Sequence, residues 1–235
     1  MPRFTVDVPP PPSVEGLIAT ATGASVVLSW DPSVVDPADF ALYVVSRSVD
    51  GGSFVRVASL PDQAATTFAD YTAPIGRPLV YRVVVETVAY EVSDPADVAT
   101  LVDACEFWLV RSAMNDAGAT VQIGFEVPNV SSMATVWPMQ SAEHEPIGRR
   151  HKLVESGEML GAETVVEALL LPDQADVARL IRTAAADVRH GDLLWKTPYG
   201  DVEAVVLGSM TASRGVGGRQ TIGFRTIAVD DATDI

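Results

Sequence analysis

The sequence predicts a mainly β protein of two domains, a β-sandwich followed by a β-barrel or second sandwich with one flanking α-helix. Short alternating apolar segments, separated by Pro, Gly and Asp turns, fill the first hundred residues. The second half carries similar segments and a single stretch with helical spacing. Apolar residues make up 48% of the 235 residues, so either domain can bury a core.

Seven short strands are expected over residues 13–102, after an extended, proline-rich lead-in over residues 1–12. The strongest hairpin signal is Asp50–Gly52, because glycine accepts the positive φ of such turns. Along Leu79–Val85 the odd positions form a buried face, and Arg82 lies on the other face. The candidate strands are VEGLIATA, ASVVLSW, FALYVVSRS, FVRVASL, TTFADY, the Leu79–Val85 stretch and DVATLV. This pattern indicates an antiparallel sandwich.

The aromatic residues of these strands carry a resemblance. Trp30 closes the second strand, Tyr43 lies in the third, and FADYTAPIGRPLVYRV leads into the sixth. Over roughly Pro12–Val102 the chain resembles a fibronectin type III domain, in which a second-strand Trp packs beside third- and sixth-strand aromatics. Leu79 stands where that family usually has a tyrosine, and Tyr81 supplies the aromatic bulk two residues later.

A second β domain is expected over residues 103–230, with residues 231–235 as a frayed tail. Its helix is expected over residues 174–189, with Asp173 as the N-cap and Gly191 as the terminator. The apolar stripe of this helix consists of Val177, Leu180, Ile181, Ala184 and Val188.

Strands are expected on both sides of this helix. Those before it are EFWLVRSA, ATVQIGFEVP, SMATVWPM and AETVVEALLL, and those after it are DLLWKTP, VEAVVLGSMTAS and RQTIGFRTIAVD. The polar segment SAEHEPIGRRHKLVESGEMLG is predicted to be a long loop with one strand inside it. The glycine-rich RGVGG is expected at a hairpin tip.

The order of the second half carries a second resemblance. IGRRHKLVESGEMLGAETVVEALLL, a helix, LLWKTPYGDVEAVVLGSM and TIGFRTIAVDD follow one another. This order is similar to the C-terminal part of minor tail proteins of long-tailed (siphovirus-type) phages, from the distal-tail and tail-tube-like group. DYTAPIGRPLVYRV is also of the kind found in tail proteins of phages that infect actinobacteria.

That resemblance implies a structural virion protein of the tail tip or baseplate. It implies a ring around the tail axis, three- or six-fold, with copies of itself and other tail proteins as partners. The sandwich would decorate the exterior and touch the host surface or a neighbouring tail protein. The expected location is the virion tail, after assembly in the host cytoplasm.

Charge limits the possible partners. The net charge is −15, which argues against nucleic acid because binding to phosphates depends on Lys and Arg. The one dense basic patch is Arg149, Arg150, His151 and Lys152, which we interpret either as a subunit-contact patch or as a solvated loop. No apolar run is long enough to cross a membrane, and no export signal is recognised, so a soluble protein without membrane insertion is expected.

No catalytic residue, cofactor site or metal site is predicted. The histidines His144, His151 and His190 are too few and too scattered for a zinc site, and in Glu143–Glu145 adjacent side chains point apart on a strand. There is no G-x-S-x-G nucleophile motif, and RGVGG lacks the Lys-Ser/Thr pair of a phosphate loop. Cys105 is expected to be a buried apolar residue of a strand.

Two other functions stay open. Trp108, Trp137 and Trp195 could line the sugar-binding face of a carbohydrate- or surface-binding module of a bacterial enzyme, although burial in a core or interface is the commoner role of such residues. Glu155 and Glu158 could serve a hydrolase if a cleft held both carboxylates a few ångströms apart. The leading hypothesis is the non-enzymatic tail protein.

Overall fold

A computed structural model describes residues 9–23, 25–114, 120–136, 139–144, 153–159, 162–186 and 193–229. Within these ranges the chain is mainly β with a single α-helix, which confirms the predicted fold class. The chain divides into two compact units. The sandwich unit is Met1–Cys105 with Pro198–Gly200, and the curled-sheet unit is Glu106–Thr197 with Asp201–Ile235. No described helix has the length and apolar character needed to cross a membrane.

The sandwich unit has seven strands in its described residues. They are β1 (Ile18–Thr22), β2 (Ser25–Ser29), β3 (Phe40–Val49), β4 (Val55–Leu60), β5 (Thr67–Asp70), β6 (Pro78–Thr87) and β7 (Ala96–Leu101). One antiparallel sheet has the order β1-β2-β5 and the other the order β4-β3-β6-β7. The chain changes sheet after β2, β4 and β5, so two sheets of sequence-distant strands form one sandwich. The predicted sandwich is therefore confirmed.

Strand β6 shows why this sequence forms a sandwich. Its side chains at Leu79, Tyr81, Val83 and Val85 are at most 1% exposed, while the alternate side chains are only partly covered. Because side chains alternate between the two faces of a strand with a period of two residues, one face is buried in the core and the other lies toward solvent. The hairpin between β3 and β4 turns through Asp50 and Gly51, both with positive φ, as the DGG signal predicts.

A buried carboxylate, Asp70, ties the two sheets together. Asp70 ends β5 in one sheet and is 2% exposed. Its Oδ2 accepts hydrogen bonds from the Tyr81 hydroxyl at 2.7 Å and from Nη1 of Arg47 at 2.5 Å, and both partners belong to the other sheet. Its Oδ1 accepts from the Thr72 backbone N at 2.8 Å and the Thr72 hydroxyl at 2.7 Å. A buried charge is tolerated only when it is paired. These four bonds therefore hold β3, β6 and the end of β5 together.

The Asp70 network also shows the role of Tyr81. Fibronectin type III domains usually have a tyrosine at the position of Leu79, and here Tyr81 is the tyrosine that donates to Asp70. Tyr81 pairs with Arg47 in the register between β6 and β3, so both donors reach Asp70 from adjacent strands. Burial raises the pKa of the Tyr81 hydroxyl, and the negative charge of Asp70 raises it further. Tyr81 therefore stays protonated and keeps donating to Asp70 well into the alkaline range.

The curled-sheet unit has a sheet of seven strands among its described residues. Its members are β8 (Phe107–Met114), β9 (Thr120–Val127), β10 (Val130–Val136), β13 (Glu163–Leu170), β14 (Leu193–Lys196), β15 (Val202–Arg214) and β16 (Gln220–Ala228), in the order β10-β13-β16-β15-β14-β8-β9. The edge strands β9 and β10 are joined only by Pro128 and Asn129. Three Cα–Cα steps lead from Val127 to Val130 and span about 11 Å at most, so the two edge strands lie close together at this link, as in a sheet that curls toward a barrel.

The helix α1 (Ala175–Ala186) covers the core of this sheet. Ala178, Ile181 and Ala184 are buried in a cluster with sheet residues such as Trp195 and Phe224, and Val177 and Leu180 pack against it. The predicted stripe is therefore confirmed at four of its positions. Val188, and the predicted helix end at Arg189, His190 and Gly191, lie outside the described residues.

The predicted N-cap of this helix, Asp173, is wrong. A 3-10 turn over Pro172–Gln174 precedes α1, and Asp173 lies inside that turn. The side-chain Oε1 of Gln174 accepts a hydrogen bond from the Leu171 backbone N at 3.1 Å and so closes the start of the turn. Proline favours the first turn of a helix, so the turn begins at Pro172 with Leu171 as its N-cap, two residues before the predicted N-cap.

The polar segment before β13 also differs from its prediction. It contains a hairpin of two strands, β11 (Met139–His144) and β12 (Leu153–Met159), rather than a loop with one strand. Strand prediction relies on apolar alternation, and MQSAEH has almost none, so β11 was not recognised. The remaining strands of the second half are found where the alternation predicts them.

We expect Asp70→Ala to destabilise the sandwich unit by about 3–5 kcal/mol, because it leaves the Arg47 charge and the Tyr81 hydroxyl without their buried partner. The matched control is Asp97→Ala, which breaks a surface ion pair with Arg82 at 2.8 Å and should cost about 0–1 kcal/mol. Native-state hydrogen exchange of the β6 amides in the full chain measures both. Equal losses in the two variants would contradict a central role for Asp70.

We expect the free energy of unfolding to fall more steeply with alkaline pH in the wild type than in Tyr81→Phe. Above about pH 10 the unfolded chain releases the Tyr81 proton while the folded chain keeps it, so stability is lost as pH rises. The slopes should differ by up to about 1.4 kcal/mol per pH unit. Urea unfolding of both chains between pH 9 and about pH 11 tests this. Parallel curves would mean that Tyr81 ionises equally in both states.

Candidate docking surface

The links β2–β3, β4–β5 and β6–β7 emerge at one end of the sandwich, because successive strands alternate in direction. The lead-in before β1 reaches the same end. We call residues 9–12, 31–39, 61–66 and 87–92 together the loop-end surface. Several large apolar side chains of this surface are exposed: Val34 is 80% exposed, Val88 57%, Tyr90 84% and Val92 51%.

A hydrogen-bond network under this surface holds the β2–β3 link in place. The buried Tyr43 hydroxyl accepts from the Ser33 backbone N at 2.8 Å and donates to the Gln63 carbonyl at 3.0 Å. The Gln63 side-chain amide donates in turn to the Ser33 and Val35 carbonyls at 2.9 and 2.8 Å. Two links are thereby joined through one tyrosine. A surface held by its own internal bonds loses little entropy when a partner binds.

The turn between β6 and β7 holds Tyr90 in a strained conformation. Tyr90 has φ +62°, a left-handed conformation that bulky residues rarely adopt. Three bonds close the turn around it: Thr87 N to Glu91 O at 2.9 Å, Tyr90 N to Thr87 O at 2.9 Å, and Glu91 N to the Thr87 hydroxyl at 3.2 Å. The Val88 backbone N also donates to the Asp39 carbonyl at 2.9 Å. An exposed aromatic ring is thus held out on a rigid turn at a cost in backbone energy.

Two adjoining depressions lie in the loop-end surface. The first has a volume of about 520 Å³, and its lining includes the prolines Pro9–Pro12, the valines Val34, Val35 and Val88, and the acidic residues Asp36, Asp39 and Glu91. The second has a volume of about 800 Å³ and shares Val34 and Val35 with the first. Prolines and aliphatic side chains therefore form most of a groove of ligand-sized volume.

The charge of this groove is entirely negative. No basic side chain lines either depression among the described residues. Asp36 and Asp62 each accept a hydrogen bond at 2.9 Å from a backbone N two residues later. Within the part of the chain that the structure describes, the carboxylates of Asp39 and Glu91 have no hydrogen-bond or ion-pair partner. Both charges are therefore available to a cation from outside the unit.

Three of the four arginines in the described part of the sandwich unit are engaged in ion pairs, and the fourth, Arg56 near the start of β4, lines neither depression. Arg47 pairs with Asp70, Arg77 with Asp50, and Arg82 with Asp97. Arg82 and Asp97 make two hydrogen bonds of 2.8 Å, and this contact raises the pKa of the guanidinium and lowers the pKa of the carboxyl. Arg82 also lies 4.0 Å above the centre of the Phe54 ring. The unit's own described cations therefore leave the loop-end carboxylates uncompensated.

The structure corrects one sequence-based candidate. Cys105, which was predicted to be buried in a strand, is exposed and precedes β8. It is the last residue of the segment Met1–Cys105 and lies two residues before β8, so it belongs to neither sheet. His144 lies in β11 opposite Leu153, and Glu155 lies in β12 opposite Ala142. His151, His190 and Glu145 lie outside the described residues.

The tryptophans do not form a platform where the structure describes them. Trp195 is 1% exposed, stacks on Phe107 at 5.6 Å between ring centroids and meets the edge of Phe224 at the same distance. Trp30 is buried against Tyr43 at 5.5 Å. Trp108 is partly buried, and Trp137 lies outside the described residues. Trp195 thus belongs to the core, which is the commoner of the two roles predicted for the tryptophans, and not to a sugar-binding face.

Clusters of metal-binding side chains are absent from the described ranges. The predicted contact patch, Arg149, Arg150, His151 and Lys152, falls in the segment between β11 and β12 that lies outside the described residues. Sequence reasoning missed the loop-end surface. Its signal was present in Pro32, Pro37 and the VAYEV turn, but only the fold shows that these distant segments meet.

Comparisons with known proteins give limited similarity. No protein-family model matches this chain, and no curated protein matches it. A solved Fn3-like protein from Clostridium thermocellum is 21% identical, over 39% of this chain and 92% of that one, with a TM-score of 0.33. The spore cortex lytic enzyme SleM of Clostridium perfringens is 21% identical over 38% of this chain and 28% of its own, with a TM-score of 0.30.

A third solved structure, the twitchin kinase region from C. elegans, is 15% identical over 92% of this chain and 40% of its own, with a TM-score of 0.36. The strand order of the sandwich unit defines its fold class. It is a fibronectin type III-like β-sandwich, with three strands in one sheet and four in the other.

We expect Tyr90→Asn to leave the free energy of unfolding unchanged or to raise it by up to about 1 kcal/mol, because asparagine tolerates the left-handed conformation. Tyr90→Val should instead lower it by about 1 kcal/mol or more, since a β-branched residue is strained there. Urea unfolding of the full chain measures both. A loss above about 1 kcal/mol in Tyr90→Asn would show that the ring stabilises the fold rather than serving the surface.

Proposed function

We propose that this chain is a non-enzymatic structural protein of a phage tail, a minor tail protein of the tail tip or baseplate. In this role it assembles with copies of itself into a three- or six-fold ring around the tail axis and contacts other tail proteins. The sandwich unit decorates the exterior, where it meets a neighbouring tail protein or the host surface. The protein acts in the virion after assembly in the host cytoplasm.

The observation that carries this proposal is the order of the two units. A fibronectin type III-like sandwich precedes a curled seven-stranded sheet with one helix over its core. This is the order that the resemblance to minor tail proteins implies. In the second unit the helix and the aromatic residues Trp195 and Phe224 fill the interior, so its described residues build a packed core.

The loop-end surface supports an assembly role for the first unit. It is preorganised, mostly aliphatic and proline-rich, and it holds Tyr90 outward. Aromatic anchors surrounded by apolar contacts are typical of the centres of protein interfaces. Residues of this kind on an exposed surface lower solubility unless a partner covers them. A protein that works inside an assembly has such a partner.

The proposal is tested by the state of the purified chain and by virion composition. We expect light scattering after size-exclusion chromatography to give three or six times the 24.9 kDa chain mass at high protein concentration. We also expect mass spectrometry of purified virions to detect the chain, and labelling with an antibody to place it at one end of the tail. A chain that stays monomeric and is missing from every virion preparation contradicts the proposal.

Charge reversal tests whether the basic patch serves the ring contact. Arg149→Glu with Arg150→Glu should return the assembly to monomers, because it removes the sign reversal that lets an acidic chain approach itself. The matched control is Arg179→Glu with Arg182→Glu, which makes the same change of charge on the outer side of α1 and should leave the assembly intact. Dissociation in both variants would instead indicate a general effect of net charge.

A further inference from the structure

The loop-end surface carries chemistry that the fold itself leaves unused. It combines an aliphatic groove, an exposed aromatic ring on a rigid turn, and two carboxylates without a partner in the described residues, Asp39 and Glu91. A ligand that satisfies all three features presents a cationic side chain next to apolar ones. Sugars and anionic lipid headgroups lack the positive charge, so a protein segment with Lys or Arg fits best.

The densest basic run of this chain has that composition. Residues 146–152 read PIGRRHK, in which an apolar Pro-Ile pair precedes four basic residues. The first 105 residues contain no lysine. Of their described arginines, Arg47, Arg77 and Arg82 are held in ion pairs, and Arg56 lines neither depression. On a chain of net charge −15, a local reversal of sign favours self-contact, and this segment supplies the reversal.

We infer that the loop-end surface of one copy binds the basic segment 146–152 of a second copy, with Asp39 and Glu91 facing its arginines. Pro146 and Ile147 then contact the prolines and valines of the groove, and Tyr90 covers the bound segment. The inference rests on the self-assembly proposed above and names the acceptor site for the predicted contact patch. Donor and acceptor are different segments of the chain, so the contact is head-to-tail, the type that closes rings.

The direct test is titration of the full chain with a synthetic peptide of residues 146–152, capped at both ends, followed by the NMR shifts of the β6–β7 turn. We expect binding with shifts concentrated at residues 87–92. Affinity should fall about tenfold in Asp39→Asn with Glu91→Gln, because two ion pairs at the surface are lost. It should also fall between 50 mM and about 500 mM salt, since these charges are screened.

The matched control neutralises two exposed carboxylates of the other unit, Asp173→Asn with Asp176→Asn, and should leave the peptide affinity unchanged. A capped peptide with both arginines replaced by glutamine should not bind. Failure of the wild-type peptide to bind overturns the inference. So does an equal loss of affinity in the Asp39/Glu91 variant and in the control, because binding would then follow net charge alone.

A charge swap in the full chain provides an independent result. Asp39→Lys with Glu91→Lys, and Arg149→Glu with Arg150→Glu, should each prevent self-association. A mixture of the two variants should form a hetero-complex by light scattering, because each supplies the surface that the other has lost. If the first variant loses assembly and the second keeps it, the surface binds another partner and the inference is wrong. Detection of the chain in virions tests the proposed function separately from this contact.

Discussion

The sandwich depends on the burial of one charge. Asp70 is removed from water at the end of β5, and such a burial is tolerated only if every oxygen finds a donor. The donors come from Arg47 in β3, Tyr81 in β6 and Thr72 after β5. Because these groups belong to both sheets, the register of β3 against β6 and the packing of the two sheets must be correct together before the charge is satisfied.

A second buried tyrosine does the same work at the opposite end of the sandwich. Tyr43 uses its hydroxyl to hold the β2–β3 link against the β4–β5 link, through Ser33 and Gln63. Its ring packs against Trp30 and Phe40 at 5.5 and 4.9 Å between centroids. Aromatic packing therefore positions the hydroxyl, and the hydroxyl positions the loops. The rigidity of the loop-end surface follows from the core beneath it.

Three features of the loop-end surface do not stabilise the folded chain. A left-handed tyrosine costs backbone energy, exposed valines remain in water, and carboxylates without counter-charges repel one another. Such features are kept where contact with a partner repays them. The acidic groove and the basic segment 146–152 are complementary in charge and in apolar content. Both belong to one chain, and this complementarity is the basis of the proposed self-assembly.

The sequence by itself determined the strands that alternate clearly, such as β6, the DGG hairpin and the apolar stripe of α1. These signals are local, because a side-chain period of two or 3.6 is written in consecutive residues. Prediction from the sequence failed for β11, because its polar residues show no apolar alternation. It also failed for the start of α1, where Pro172 and Gln174 rather than Asp173 form the first turn, and for Cys105, which is exposed. Tertiary structure alone decided the Asp70 network and the loop-end surface. Each of these joins residues tens of positions apart, and only the folding of strands between two sheets brings them together.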